Sequence, residues 1–290
     1  MRKSIFMLFG IAAMLTACEK STDDIIADRG NKSVTFAVQG DFNSPAFEYG
    51  GITRAALTAD NKAMTDLWVL DYQNGSLVQQ LHQVSTDEDF GEPTIDLAIG
   101  DHHVYFVASR GEGVTLSTAD HKLTWTKPLD TFWKDYTVSV TNGTASTHTV
   151  TLDRVVTKLT VSYIDEIPAD IANITVTPSK WYYGIDYLTG LPTDMATDDP
   201  HVFNIPSSYI GTSGRVSTNT YGFSSNTEWT ADISVVARDA DDDIIGQADI
   251  IDAPFLVNRV TLYSGNLFVN TGGFSLSLNS IWADNYTGTW

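Results

Sequence analysis

Apolar and polar residues alternate with a period of two along most of the chain after residue 18, and the spacing of an amphipathic helix is almost absent. The alternation predicts strands at Val34–Val38, Asp66–Tyr72, Thr94–Ile99, Val104–Ser109, Thr137–Val140, His148–Leu152, Lys158–Ile164, Ile171–Thr177, Asp232–Arg238, Ile244–Ile250, Arg259–Tyr263 and Phe274–Leu278. These segments are rich in Val, Ile, Thr, Tyr and Trp, which suit a pleated, half-buried surface. Turn formers punctuate them at Gln73–Ser76, Ile99–Asp101, Thr141–Thr144 and Asp239–Asp243. Short strands at this spacing argue for antiparallel β-sandwiches rather than a parallel α/β sheet. A seam is expected near Asp153, where the strand ending at Leu152 runs through Arg154, Val155 and Val156 into the strand carrying Leu159, Val161 and Tyr163. One sandwich would then occupy residues 30–152 and a second 153–290. No Pro/Ser/Gly linker marks the joint, so the two should abut, and the sequence carries no internal repeat.

The first residues follow a different rule. Arg2 and Lys3 give a positive start, Ile5 to Leu15 an apolar run, and Ala12, Ala13 and Ala17 the small residues that a signal peptidase requires. The run is too short to span ~30 Å of hydrocarbon, which takes roughly 20 helical residues. Leu15-Thr16-Ala17-Cys18 resembles the lipobox of bacterial lipoproteins. Residues 1–17 therefore read as a signal peptide cleaved between Ala17 and Cys18, with Cys18 lipidated and residues 18–29 a polar tether. Cys18 is the chain's single cysteine, so no internal disulfide is possible and stability must come from burial. Acyl chains at Cys18 would hold the protein to the membrane without a transmembrane helix. The acidic tether Glu19–Asp24 resembles the signals that place lipoproteins on the outer face of an outer membrane.

With 36 acidic and 17 basic residues the formal net charge is −19, and loss of Arg2 and Lys3 makes it more negative still. Such a surface repels phosphate backbones and argues against a nucleic-acid partner. Chemistry-bearing motifs are missing. Gly211-Thr212-Ser213-Gly214 has the composition of a nucleophile elbow but not its spacing, and no phosphate-binding glycine loop is present. The six histidines lack metal-ligand spacing, and adjacent His102 and His103 would face opposite sides of a strand. Asp239, Asp241 and Asp243 alternate like the start of a calcium loop, but Ile244 and Ile250 stand where glycine and a bidentate acid are required, leaving a hairpin turn. No catalytic residue, metal site or cofactor is expected. An aromatic set, Trp125, Trp133, Trp181, Tyr182, Tyr183, Tyr187 and Trp229, offers either a sugar platform or core packing; Trp181–Tyr183 reads as an end plug between a strand and a turn at Gly184.

Four features taken in order carry a resemblance. The lipobox, Arg54-Ala55 followed by Leu67-Trp68-Val69-Leu70, the strand Arg154-Val155-Val156-Thr157-Lys158-Leu159, and Asn258-Arg259-Val260-Thr261 running to Gly265-Asn266-Leu267-Phe268 are similar to the fimbrillin superfamily of Bacteroidetes, the subunits of type V pili, with the anchor-subunit branch nearest. The resemblance implies two tandem transthyretin-like sandwiches and assembly by β-strand exchange. In stalk members, it further implies removal of the first strand by an arginine-specific protease. Arg54 and Ala55 would flank such a cut, releasing the candidate first strand with Val34, Phe36 and Val38. Phe274, Leu276 and Leu278, alternating with polar residues, form the candidate donor strand, or else the ordinary last strand of the second sandwich. Anchor members keep their lipid and leave Arg54 unused. The expected partners are other pilus subunits and the outer membrane, the expected location a cell-surface fimbria. The alternatives are a stalk or tip pilin, or a surface glycan-binding lipoprotein.

Overall fold

The computed structural model describes residues 30–40 and 64–269, with the backbone of 55–56 and 275–279. The described residues from 31 onward cluster as one compact unit. In chain order the strands are β1 (Lys32–Gly40), β2 (Ala55–Ala56), β3 (Asp66–Gln73), β4 (Ser76–Val84), β5 (Thr94–Leu97), β6 (Gly100–Ser109), β7 (Thr115–Ser117), β8 (Lys122–Thr124), β9 (Thr131–Val140) and β10 (Thr147–Arg154). They continue with β11 (Val156–Tyr163), β12 (Ile171–Pro178), β13 (Trp181–Asp186), β14 (Leu191–Ala196), β15 (His201–Asn204), β16 (Val216–Phe223), β17 (Trp229–Asp239), β18 (Ile244–Phe255), β19 (Val260–Gly265) and β20 (Ser275–Asn279). Among the described residues a single 3-10 turn, Ser207–Tyr209, is the only helical element. The expected all-β sandwich architecture is what forms.

The topology is duplicated. In the first half β4-β3-β6-β9 and β5-β1-β10 are joined into one sheet where β9 meets β10 at Trp133↔Asp153 and Phe132↔Arg154; in the second, β15-β12-β17-β18 and β16-β11-β19 are separate sheets. The seven strands of one set match the seven of the other in chain order as well as in sheet order. Each opening strand runs parallel to the closing strand of its own half, β1 with β10 from Thr35↔Thr147 to Gly40↔Leu152, and β11 with β19 from Lys158↔Val260 to Tyr163↔Gly265. Most other pairs are antiparallel, and the hairpin β3–β4 turns at Asn74-Gly75, both at positive φ (54° and 76°), as a tight two-residue turn requires.

Each sandwich has its own core. Val34, Phe36, Val38, Leu67, Val69, Phe106, Phe132 and Leu152 belong to the first; Leu159, Val161, Tyr163, Ile174, Trp181, Val235, Phe255 and Tyr263 to the second. Each half also carries an inserted hairpin, β7–β8 after β6 and β13–β14 after β12, and the two hairpins pair with each other through Ile185↔Leu123 to form a fourth sheet. Beneath that sheet lies a third core that draws Trp68, Leu70, Tyr72 and Trp125 from one half and Val156, Ile185, Tyr187 and Phe223 from the other. The two sandwiches therefore share a sheet and a core, which goes further than the abutment expected from the sequence. It also explains why Leu67-Trp68-Val69-Leu70 is apolar throughout: alternate residues of β3 enter the first and third cores.

Candidate strand-exchange site

The first strand is seated on both edges. Thr35 N donates to Ser146 O at 2.8 Å on the β10 side, while Phe36 N and Val38 N each donate at 2.9 Å to Pro93 O and Gly91 O on the opposite side. β5 continues that side, with β2 beside Gln39 and Gly40. The pleat sends alternate side chains to opposite faces, so Val34, Phe36 and Val38 point inward and are fully buried. Phe36 meets Phe106 edge-on at 5.2 Å and Tyr136 at 5.8 Å. The loop that lines this seat is pinned by Gln83, whose amide accepts from Gly91 N at 3.2 Å and donates to Asp89 O at 3.0 Å. Phe90, from the same loop, is buried in the first core.

At the other end β20 pairs, among the described residues, with β19 alone, antiparallel, with Leu276 opposite Tyr263 and Leu278 opposite Thr261. The duplication gives this strand its meaning. The closing strand β19 already completes the seven-stranded set, so β20 has no equivalent among the described strands of the first sandwich, where β10 meets β9 instead. In residues 267–269, which lead towards it, Leu267 is buried in the second core and one carboxylate binds the backbone: Asp165 Oδ2 accepts from the N–H of Leu267, Phe268 and Val269 at 2.9, 2.6 and 3.3 Å. Asp165 is buried, and its Oδ1 has no hydrogen-bond partner among the described residues. Gly246 lets the segment lie close, because a Cβ there would sit 2.7 Å from Leu267 O. Nothing in the sequence pattern marks Asp165 or Gln83; the amides that Asp165 holds lie more than 100 residues away in the chain. Asp165→Ala is expected to raise amide hydrogen exchange across 267–269 about thirtyfold, roughly 2 kcal/mol for loss of a charged acceptor, with exchange in β12 and β17 unchanged.

Of the other residues singled out in the sequence, Ala17, Cys18, Arg54 and Phe274 lie outside the described residues, and Ala55, Leu276 and Leu278 are described as backbone in β2 and β20. Three of the seven aromatics are interior and four are half-buried. Trp125, Trp181 and Tyr187 are buried, and the Trp181 indole donates to Tyr221 O at 2.8 Å while Trp133 and Trp229 are half-buried. Trp181–Tyr183 do not plug an end before a turn: they lie in β13, and Gly184 continues that strand, where a Cβ would sit 2.7 Å from Thr193 Oγ1 and 3.0 Å from Leu123 O. Trp181 therefore offers no platform to a sugar. His102 is buried against Asp71 at 2.7 Å while His103 faces Asp135 from the exposed side, opposite faces as expected. Asp239–Asp243 form the hairpin turn between β17 and β18, with Asp239 Oδ1 accepting from the amides of Asp241 and Asp243 at 3.0 and 2.9 Å.

No family model and no curated protein sequence matches the chain. Solved structures do. A candidate polysaccharide-binding protein from Bacteroides thetaiotaomicron superposes with a TM-score of 0.51 at 10% identity, covering 88% of this chain and 98% of that one. A candidate adhesin from Bacteroides ovatus gives a TM-score of 0.50 at 12% identity, covering 90% and 95%. The fimbrial anchor protein from Porphyromonas gingivalis gives 0.44 at 10% identity, covering 88% and 100%. At such identities the likeness is one of fold. With the two Bacteroides structures the chain shares its fold over most of its length.

Proposed function

We propose that the chain is a non-enzymatic, lipid-anchored structural subunit of a cell-surface fimbria, joined to neighbouring subunits by β-strand exchange and serving as the anchor. Cys18 holds the outer membrane; two sandwiches, 30–152 and 153–290, form the body; β20 is the strand offered to a neighbour. The observation that carries this reading is the surplus of β20 over the duplicated seven-stranded set. A strand that its own sandwich does not require, paired with β19 and reached through a segment held by Asp165 and by Leu267 in the second core, can leave without opening the seven-stranded set. It can satisfy the unpaired N–H and C=O groups of another subunit's open edge. The adhesin and fimbrial descriptions of the structural neighbours agree with this role.

Deleting residues 274–290 is expected to leave a folded, membrane-bound protein that is absent from sheared fibres. Incorporation at wild-type level would remove the donor assignment. N-terminal sequencing of protein from those fibres separates the anchor from a stalk or tip pilin: an anchor begins at acylated Cys18, a processed pilin at Ala55. Metabolic labelling with palmitate should follow Cys18 and vanish in Cys18→Ala.

A further inference from the structure

A cleft of about 530 Å³ lies between the β3–β4 hairpin and the loop that leads into β7. Its size is in the range of small-ligand sites, roughly 300–1,000 Å³. Its walls differ in chemistry. Asp66, Gln80 and His82 line one, Val114 and Leu116 the other, with Trp68 between them. The polar wall follows from strand geometry. Asp66, Trp68 and Leu70 share a face of β3 through the two-residue repeat, and register sets His82 beside Trp68 and Gln80 beside Leu70.

The polar groups are held in place before any ligand arrives. His82 Nε2 donates to Asp66 Oδ1 at 2.8 Å, and Thr65 Oγ1 donates to Asp66 Oδ2 at 2.7 Å. Each carboxylate oxygen keeps further acceptor capacity. The His82 ring lies flat on Trp68, centroids 4.6 Å apart and 5° from parallel, and the His82 side chain is 43% exposed, so one ring face is backed by indole and the other is open. The apolar wall is fixed too. Gly111 packs against Trp125 and Gly113 against Thr126 so closely that a Cβ on either would collide, and Glu112 and Lys127 exchange backbone hydrogen bonds at 3.0 and 3.2 Å.

A carboxylate with spare lone pairs, a primary amide and a flat ring face, all opposite an aliphatic wall, match a ligand with hydroxyls along its edge and C–H groups on its faces. An anion is disfavoured by Asp66 and by the chain's net charge of −19. A lone ammonium group would leave the amide and the aliphatic wall unused. We infer that this cleft binds a neutral pyranose unit, with hydroxyls donating to Asp66 and bonding to Gln80, and a sugar face packed between the His82 ring and Leu116. This site is distinct from the buried tryptophans and does not depend on the pilus role.

The test is saturation-transfer NMR and titration of the full chain with methyl glycosides and disaccharides of glucose, galactose, mannose and N-acetylglucosamine. At least one is expected to bind with millimolar or tighter affinity. Gln80→Ala, at an exposed position, and Leu116→Trp, which fills the cleft, should each weaken binding by about tenfold or more, the equivalent of one lost hydrogen bond or a blocked contact face. Thermal unfolding of both variants, unchanged from wild type, ties the loss to the cleft. The inference is overturned if no sugar of the panel binds, if binding is undiminished in both variants, or if a lysine-rich peptide occupies the cleft and the sugars do not.

Discussion

A chain that begins at Ala55, lacking β1, is expected to lose most of its folding stability and to recover it when the missing strand is supplied as a peptide. Val34, Phe36 and Val38 are fully buried, and removing them from the core forfeits on the order of 5–9 kcal/mol at about 1.5–3 kcal/mol per side chain. That loss is comparable to the whole stability of a typical domain, about 5–15 kcal/mol. The backbone loss compounds it, since β1 is bonded to β10 on one side and to β5 with the 91–93 loop on the other. A peptide of residues 32–40 can restore both terms, because its alternate side chains refill the trench while its main chain closes two edges. Its effect on the melting temperature should rise with peptide concentration, as for any ligand that binds the folded state alone. A Phe36→Ala peptide should fail, for it leaves the space between Phe106 and Tyr136 empty. Unchanged melting of the shortened chain would mean that β1 is dispensable. The trench would then be no acceptor for a neighbour's strand.

That first strand was legible because its chemistry is local. Val34, Phe36 and Val38 alternate with Thr35 and Ala37, and the pattern predicts both the strand and its inward face; the structure lengthens it by two residues at each end. β16 escaped because polar residues follow Val216 on its inward face: Thr218 and Thr220 are buried, and Thr218 meets the Tyr163 hydroxyl at 3.0 Å, so the apolar alternation breaks off. β4 escaped for a related reason. Its Gln79, Gln80, His82 and Gln83 hide an edge strand beneath polar composition, and with it one wall of the proposed sugar cleft. The duplication could not be read at all. The two sets of seven strands agree in order and pairing, but the inserted hairpins fall at different places, after β6 in one half and after β12 in the other, and the core residues differ. Strand order is a property of pairing across the chain, and adjacent residues do not record it.

The second large effect is expected where the two sandwiches meet. Asp130 receives two hydrogen bonds from Arg154, Nε to Oδ1 at 2.6 Å and Nη2 to Oδ2 at 2.9 Å, and both side chains are buried. Arg154 also donates to Asn258 Oδ1 at 3.0 Å and lies over the Phe132 ring at 4.6 Å. Lys158, buried on the central strand β11, is pulled down to about 8 by its burial and by Arg110, with Asp130 opposing that shift. Asp130→Asn keeps the shape and removes the only carboxylate among these influences. It should destabilise the protein by about 3–5 kcal/mol, the usual penalty for breaking a buried ion pair by removing one partner, and push Lys158 lower still. The pH profile isolates the lysine. Between about 8 and the ordinary 10.5 the unfolded chain holds the Lys158 proton and the folded chain does not, so folding stability rises with pH across that window. The tyrosines act in the other direction: buried Tyr163, Tyr187, Tyr221 and Tyr263 and half-buried Tyr183 are all raised above 10.0, with desolvation the largest cause, so their contribution is complete below pH 10 and is lost as pH climbs beyond it. Chemical denaturation in steps from pH 7 to 11 should therefore show a maximum near pH ~10, and Lys158→Met should remove the rising limb while leaving the descending one. A wild-type profile that is flat or falling from pH 8 to 10 would show that Lys158 keeps its proton in the folded seam, and Asp130 would then be neutralising two buried cations instead of one.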